Sequence, residues 1–318
     1  VLVSVITPAY DVAAFVADAI RSARAQSHPA FELILIDDGS RDGTALEAER
    51  AAEGDPRIRI LRQPNAGVSA ARNAAIAAAS GEALLFLDAD DWLAPDALAR
   101  LVAALRGTPG AVAAYGPWAA TAESARPGDP PLRVKTGPFP EGDILGTLLI
   151  RNLLANGGHL LVRREAFAAA GGFDPAIRYG EDWECWIRLA LRGPFARVEG
   201  DAPLLHVRER AGSAYRRMAR DPAAFAPAMS AIWGNPALAE RLGPRFAALK
   251  ARAEAENAWV VGRELIRHGA GAEGLAKLRA AFAAAPAPKR AALLAAAHLL
   301  PLLPARLHGP FARYPRTV

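Results

Sequence analysis

Three carboxylates stand within four residues at Asp88-Ala89-Asp90-Asp91, directly behind the apolar run Ala83-Leu84-Leu85-Phe86-Leu87. Like charges this dense repel one another, and a divalent metal that prefers oxygen ligands is their natural counter-charge. A metal held there would in turn hold something phosphorylated. A solvated acidic turn capping a helix that starts near Pro95 fits the same residues. The motif alone leaves both readings open. A second acidic pair, Glu181-Asp182, opens a stretch in which Trp183, Trp186, Ile187 and Ala190 fall on one helical stripe. Aromatic neighbours dry a carboxylate, and a dried carboxylate titrates closer to neutral pH, where a general base works best.

The elements that would position these groups follow from periodicity. Leu2 to Thr7 reads as a strand that Pro8 ends, and Val12 through Ala25 as a helix. Phe31 to Ile36 is a second strand running into Asp37-Asp38-Gly39-Ser40, with a helix from Asp42-Gly43-Thr44 to about Gly54. Ile58 to Leu61 is a third strand, Gln63 to Gly67 a loop, Ser69 to Ala79 a helix, and the acid-bearing run a fourth strand. This alternation predicts an α/β domain with a mostly parallel sheet. Ligands bind outside the carboxyl ends of such strands. Thr7 to Tyr10, Asp37-Asp38, Asn65 to Gly67 and Asp88 to Asp91 should therefore meet at one rim. Four polar strand ends at one rim favour a site over a solvated turn.

Further along, Ala111 to Tyr115 reads as a strand and Glu123 to Gly142 as a long loop of the lid or binding kind. Ile144 to Leu154 reads as a helix and Leu160 to Val162 as a strand. Arg164 to Ala170 reads as a helix stopped by Gly171-Gly172.

At 318 residues, with 52% hydrophobic and 22% charged residues, the chain is ordinarily globular, neither disordered nor fibrous. A net charge of +5 suits phosphate-bearing ligands or an anionic membrane surface. With no zinc-finger spacing, RNA-binding aromatic motif or lysine-rich block, nucleic acid is not an expected partner. The single cysteine, Cys185, excludes an intrachain disulfide and fits a reducing compartment. No signal peptide and no span of about 18 apolar residues is legible. The expected location is cytoplasmic, soluble or peripheral at the inner face of the cell membrane.

Val5-Ile6-Thr7-Pro8-Ala9-Tyr10, Ile36-Asp37-Asp38-Gly39-Ser40 with Asp42-Gly43-Thr44, and Asn65-Ala66-Gly67-Val68-Ser69-Ala70-Ala71-Arg72-Asn73 form an ordered series. It continues through Phe86 to Asp91, Gly171-Gly172-Phe173-Asp174, and Glu181-Asp182 with Trp186 and Arg188-Leu189. In this order and spacing, over about residues 1 to 210, the chain resembles an inverting family 2 glycosyltransferase of the GT-A type. The resemblance implies a Rossmann-like, mostly parallel sheet with helices on both faces, in a catalytic domain at 1–215. Its nucleotide-sugar half would reach about residue 115, its acceptor half would cover 116–215, and 216–318 would be a helical extension.

The implied reaction moves a sugar from a nucleotide diphospho-sugar, expected to be UDP-linked, to a hydroxyl of a glycan or lipid-linked acceptor in bacterial cell-envelope polysaccharide biosynthesis. Thr7, Pro8, Ala9 and Tyr10 would line the base pocket, with Asp38 accepting from a ring N–H of the base. An Asx-type turn role for Asp38 and a plain turn role for Gly67 fit equally. Asn65, Gly67 and Arg72 would edge the nucleotide and diphosphate. Asp88, beside Ala89, would face the ribose and share in metal binding, while Asp90 would take Mg²⁺ or Mn²⁺ bridging the phosphates. Asp91 would assist or cap the next helix. Asp182 is the implied general base, with Glu181 its close competitor.

Leu205-His206-Val207-Arg208-Glu209-Arg210-Ala211-Gly212-Ser213 resembles the family's Tyr-Arg-x-His-x-Gly-Ser stretch. Val207 stands in the tyrosine place, and Arg210 in the place of a histidine that sometimes adds a metal contact. Arg208 or Arg210 would close over the diphosphate. His206 is out of register and reads as a surface histidine, and Cys185 as a small buried residue.

From Asp221 the pattern is helical, over Glu240 to His268, Gly274 to Ala285 and Lys289 to Leu300, and one pair resembles a tetratricopeptide hairpin. The leucine-rich, base-flanked stretch Ala291 to Leu307 would dock on the catalytic domain or lie on a membrane. A GT-A-like module that binds without transfer is the alternative function, and intact Asp88, Asp90 and Asp182 argue against it. A dinucleotide-dependent dehydrogenase would need Gly-x-Gly-x-x-Gly after the first strand, which this chain lacks.

Overall fold

The computed structural model describes residues 1–137, 139–210, 223–267 and 269–299. The first half alternates as its periodicity dictates: β1 (Val3–Ala9), α1 (Val16–Arg24), β2 (Phe31–Asp37), α2 (Thr44–Ala52), β3 (Ile58–Arg62), α3 (Val68–Ala78) and β4 (Ala83–Phe86). β1 lies between β2 and β4, and β3 outside β2, all pairing in parallel. β1, β2 and β4 are buried almost throughout, so they read as unbroken apolar runs. The edge strand β3 exposes Arg59 and Arg62 and partly buries Ile58, Ile60 and Leu61.

Then follow β5 (Trp92–Leu93), α4 (Ala97–Gly107), β6 (Ala113–Tyr115), β7 (Trp118–Ala122), β8 (Arg133–Lys135) and α5 (Leu145–Ile150). β9 (Leu160–Arg163), α6 (Arg164–Ala170), α7 (Glu181–Ala190), β10 (Phe195–Arg197) and β11 (Leu205–Glu209) complete this half. The main sheet has seven strands in the order β10-β6-β9-β4-β1-β2-β3, with β9 antiparallel to both β4 and β6. A second sheet, β5-β11-β7-β8, sets β11 antiparallel to β5 and parallel to β7. Because β5 begins one residue after Asp91, this pairing ties Arg208 in β11, and Arg210 just beyond it, to the acidic loop.

Four expectations change. β1 runs through Pro8, which pairs in register with Ile36. Ile6 faces β4 and Ala9 faces β2, as Leu87 N–H donating to Ile6 and Asp38 N–H donating to Ala9 show. Pro8 therefore faces the side where β4 has already ended, and its missing N–H costs the ladder nothing. The stretch Glu123 to Gly142 is not one loop, since β8 pairs antiparallel with β7 inside it. β8 is exposed at all three residues and carries no apolar alternation to betray it. The expected helix from Ile144 to Leu154 is only Leu145–Ile150. The helix expected from Glu240 is interrupted at Gly243-Pro244, where a 3-10 turn separates two helices.

The chain divides into two compact units, residues 1–145 with 153–210, and 146–152 with 211–318. The described helices of the second unit are α8 (Ala226–Gly234), α9 (Pro236–Leu242), α10 (Phe246–Arg267), α11 (Gly271–Ala284) and α12 (Pro288–Leu299). α10 and α11 approach closely enough that a Cβ on Gly262 would sit 2.8 Å from the Gly274 carbonyl oxygen. Leu293, Leu294 and Ala297 pack on Trp259, Ile266, Leu278 and Ala281. The described part of the leucine-rich stretch thus closes over its own hairpin, and residues 300 to 307 lie outside the described residues. No helix among the described residues is long and apolar enough to cross a membrane.

Beneath the acidic loop, Phe86 meets Phe167, Phe173 and Trp186 at ring-centroid distances of 5.2, 5.2 and 5.4 Å. Gly157 lies so close that a Cβ there would overlap the side chain of Phe86. Gly157→Ala should lower the stability of this unit by about 1–3 kcal/mol through overpacking, read from the urea midpoint.

Candidate active site

Each strand end delivers its polar groups in a different state. At the end of β1, Thr7 and Ala9 are buried, Pro8 is partly exposed, and Tyr10 is 49% exposed. The loop behind Tyr10 is held from the β2 side. Asp42 accepts from Ala13 N–H at 2.9 Å, and the Thr44 hydroxyl accepts from Val12 N–H at 2.8 Å. At the end of β2, Asp38 is 3% exposed and organises the next loop. Its Oδ1 accepts from Gln63 Nε2 at 2.7 Å and Ala66 N–H at 2.9 Å; its Oδ2 accepts from Gly67 N–H at 2.9 Å. Asn65 donates to the Asp38 carbonyl at 3.0 Å. A carboxylate has about four acceptor sites, so these three bonds leave one site on Oδ2 untaken. The turn role and the base-binding role expected of Asp38 are therefore compatible. Gly67 is exposed with φ +89°, a conformation that L side chains resist.

Arg72, buried in α3, joins two distant acids. Its Nη2 donates to Asp88 Oδ1 at 2.9 Å and its Nη1 to Glu181 Oε1 at 2.9 Å, with Phe173 5.1 Å below the guanidinium. Burial opposes its charge, but Asp88, Glu181 and Asp182 outweigh that and raise its pKa. Asn73 fixes Phe173 by two hydrogen bonds, and Arg188 donates to the carbonyls of Ala170 and Gly172. Together they hold the Gly171-Gly172 turn that leads to α7. At the start of α7, half-buried Asp182 accepts from Trp183 N–H at 2.6 Å. Burial first, then Glu181, raises the pKa of Asp182 to about 7, against the opposing charge of Arg72.

The acidic loop divides its labour. Asp88 and Asp90 are partly exposed, Ala89 is buried between them, and Asp91 is 2% exposed. Asp91 neither joins the rim nor caps the next helix. Its Oδ1 accepts from the Arg208 backbone N–H at 2.8 Å, and its Oδ2 from Asn156 Nδ2 at 2.6 Å. Burial, then Asp90 and Asp88, pushes its pKa well up. Burial and Asp88 also raise that of Asp90, which pairs with Arg210 Nη1 at 2.7 Å.

The two arginines of the β11 region differ sharply. The Arg208 side chain is fully buried, donating from Nε to the Asp90 carbonyl at 2.9 Å and from Nη2 to Asp18 at 2.9 Å. Its Nη1 reaches the carbonyls of Glu123 and Ala125. These bonds leave Arg210, 21% exposed, as the arginine that faces the rim. His206 is half-buried and stacked on Trp92, with ring centroids 5.2 Å apart. Ala211 to Ser213 of the expected motif lie outside the described residues. Cys185 is fully buried and its thiol is pushed up to about 12 by burial, consistent with a packing residue.

Among the described residues no three Asp, Glu, His or Cys side chains converge as a complete metal cage. Mg²⁺ and Mn²⁺ do not need one, because one or two carboxylates plus substrate phosphates and waters suffice. Asp90 and Asp88 fit that demand: both are partly exposed carboxylates in one short loop.

Asn156, Gln63 and Asp18 escape the sequence reading. Asn156 follows an ordinary helix pattern, and only the run Asn156-Gly157-Gly158 before a strand hinted at a special turn. Asp18 sits inside an alanine-rich helix, with nothing local to announce Arg208 as its partner. Arg208→Met should cost about 3–5 kcal/mol by leaving Asp18 and several carbonyls unpaired. Arg210→Met should cost under about 1 kcal/mol, because that pair is partly exposed. Urea unfolding of the two variants checks the contrast.

Residues 4–169 match the profile of Glycosyl transferase family 2. Among curated proteins, the chain is 41% identical over 100 residues to the uncharacterized glycosyltransferase EpsJ of Bacillus subtilis (strain 168), covering 31% of this chain and 29% of that one. It is 38% identical over 97 residues to the chondroitin synthase of Pasteurella multocida (strain Pm70), covering 30% of this chain and 10% of that one. The chain thus matches less than a third of the length of either relative. Among solved structures, S. aureus TarS 1-349 in complex with UDP aligns with TM-score 0.58 at 18% identity, over 98% of this chain and 89% of that one. The mannosyltransferase PcManGT of Pyrobaculum calidifontis, in complex with GDP-Man and Mn2+, aligns with TM-score 0.62 at 22% identity, over 95% and 80%. These likenesses agree with the sheet order in giving the fold as GT-A. With the family profile spanning more than half of its residues, the chain belongs to glycosyl transferase family 2.

Proposed function

We propose that this chain transfers a sugar, with inversion, from a nucleotide diphospho-sugar to a hydroxyl of a glycan or lipid-linked acceptor. The observation that carries the reading is the Arg72 bridge, which sets the acidic end of β4 beside the acidic start of α7. Transfer needs both in one place, a clamp for the leaving diphosphate and a base for the incoming hydroxyl.

Thr7, Pro8, Ala9 and Tyr10, with the free acceptor direction of Asp38, form the proposed base pocket. Asn65, Gly67 and Arg72 edge the nucleotide, and Asp88 faces the ribose beside Ala89. Asp90 and Asp88 would hold Mg²⁺ or Mn²⁺, which when bound sets positive charge against the departing diphosphate. Asp182 takes the acceptor proton. Its pKa near 7 keeps much of it ionised at neutral pH while making it a stronger base than an exposed carboxylate. Glu181 is already committed to an ion pair with Arg72 and is the weaker candidate for the base. UDP is the expected carrier. TarS has been crystallised with UDP and UDP-GlcNAc and PcManGT with GDP-Man, so both nucleotides belong in any screen.

In such a screen the donor nucleotide with Mn²⁺ should raise the unfolding temperature, as any ligand specific to the native state does. No shift from any nucleotide diphosphate would count against the reading. Asp182→Asn should abolish transfer, by at least about 100-fold in kcat, while leaving donor-induced stabilisation intact; retained turnover would remove Asp182 as base. The sign of the pH dependence follows from a base that must be ionised. Below an apparent pKa of about 7, kcat/KM should fall about tenfold per pH unit, and the limb should disappear in Asp182→Asn.

A further inference from the structure

Arg210 places a guanidinium on the carboxylate that the proposed metal would use. Its Nη1 is 2.7 Å from Asp90 Oδ2, and the guanidinium rests on the Phe15 ring at 4.6 Å. The last paired residue of β11 is Glu209, opposite Ala122, so Arg210 is the first residue beyond the ladder. Its side chain is 21% exposed, whereas that of Arg208 is fully buried and committed to four partners. Of the two arginines, only Arg210 can change partner without abandoning buried acceptors. Asp90 does need a cation, because it stands beside Asp88 and Asp91 in a partly dry loop. A guanidinium and a divalent ion cannot share one carboxylate oxygen closely, since they repel.

The geometry points to Arg210 as a built-in counter-cation, which neutralises Asp90 while the metal is absent and passes to the diphosphate when metal and nucleotide arrive. This rests on the reading of Asp90 as a metal ligand. It has two consequences of opposite sign. The metal alone binds weakly, because it must displace an ion pair. A diphosphate offers the displaced guanidinium a matching acceptor, so metal and diphosphate favour one another, and the coupling is reciprocal.

Titration of Mn²⁺ alone, followed by calorimetry, tests this on the full chain. Arg210→Gln should bind Mn²⁺ about tenfold more tightly than the natural chain, while Arg210→Lys, which keeps the charge, should stay within about threefold. With Mn²⁺ saturating, Arg210→Gln should bind inorganic pyrophosphate about tenfold more weakly. Unchanged or weaker Mn²⁺ binding in Arg210→Gln overturns the exchange, and so does unchanged pyrophosphate affinity. Asp90→Asn separates the two readings. If it weakens Mn²⁺ binding while Arg210→Gln leaves it unchanged, the metal site stands and the exchange falls. If Asp90→Asn binds Mn²⁺ as tightly as the natural chain, the metal reading falls and takes the exchange with it.

Discussion

The constraint on which the rest of this molecule depends is the concentration of negative charge at the rim of its main sheet. Asp88, Asp90, Glu181 and Asp182 converge there, with Asp91 buried behind them. At a protein surface, each close pair of like charges costs about 4 kcal/mol. Three arginines counter them in different ways. Arg72 binds one acid from each side of the cleft. Arg210 neutralises Asp90 from the rim. Arg208 gives its backbone N–H to Asp91 and its side chain to the Asp90 carbonyl and Asp18. Buried ion pairs gain little net stability over apolar packing. Their value here is positional: they hold the carboxylates close and differently exposed.

The architecture follows from that need. Parallel pairing of β1 to β4 brings polar strand ends to one rim, but the pairing alone does not supply Arg208 or Arg210. Those come from β11, more than a hundred residues later, which reaches the acidic loop only because β5 is a strand as well. The short second sheet therefore works as a fastening between the acidic loop and its cations. Asp91, spent entirely on that fastening, shows how one acid of a triplet can serve the scaffold while its neighbours stay partly exposed.

Below the charges lies an aromatic floor. Phe86, Phe167, Phe173 and Trp186 pack edge to face or tilted, and Arg72 rests on Phe173. Burial above that floor, then the neighbouring Glu181, raises the pKa of Asp182 toward neutrality. Gly157 permits the close approach of the Asn156 turn to that floor. Packing, electrostatics and the proposed base thus depend on the same few side chains.

The β-α alternation, the rim and its acids were all legible in the sequence, because buried parallel strands are continuous apolar runs and functional loops end them abruptly. The families of residues at Thr7 to Tyr10, Asp37-Asp38, Asn65 to Gly67 and Asp88 to Asp91 are local patterns, readable without partners. Tertiary structure alone decided which acid does what. Asp91 and Asp90 are neighbours of identical chemistry, and only burial and the positions of Asn156 and Arg208 distinguish them. Arg208 and Arg210 are likewise indistinguishable by type, yet one is sealed against Asp18 and the other faces the rim. Such assignments depend on contacts between residues up to 190 positions apart, and periodicity carries no information at that range. The edge strand β8 and the passage of β1 through Pro8 were hidden for the same reason, since each is set by where a neighbouring strand begins or ends.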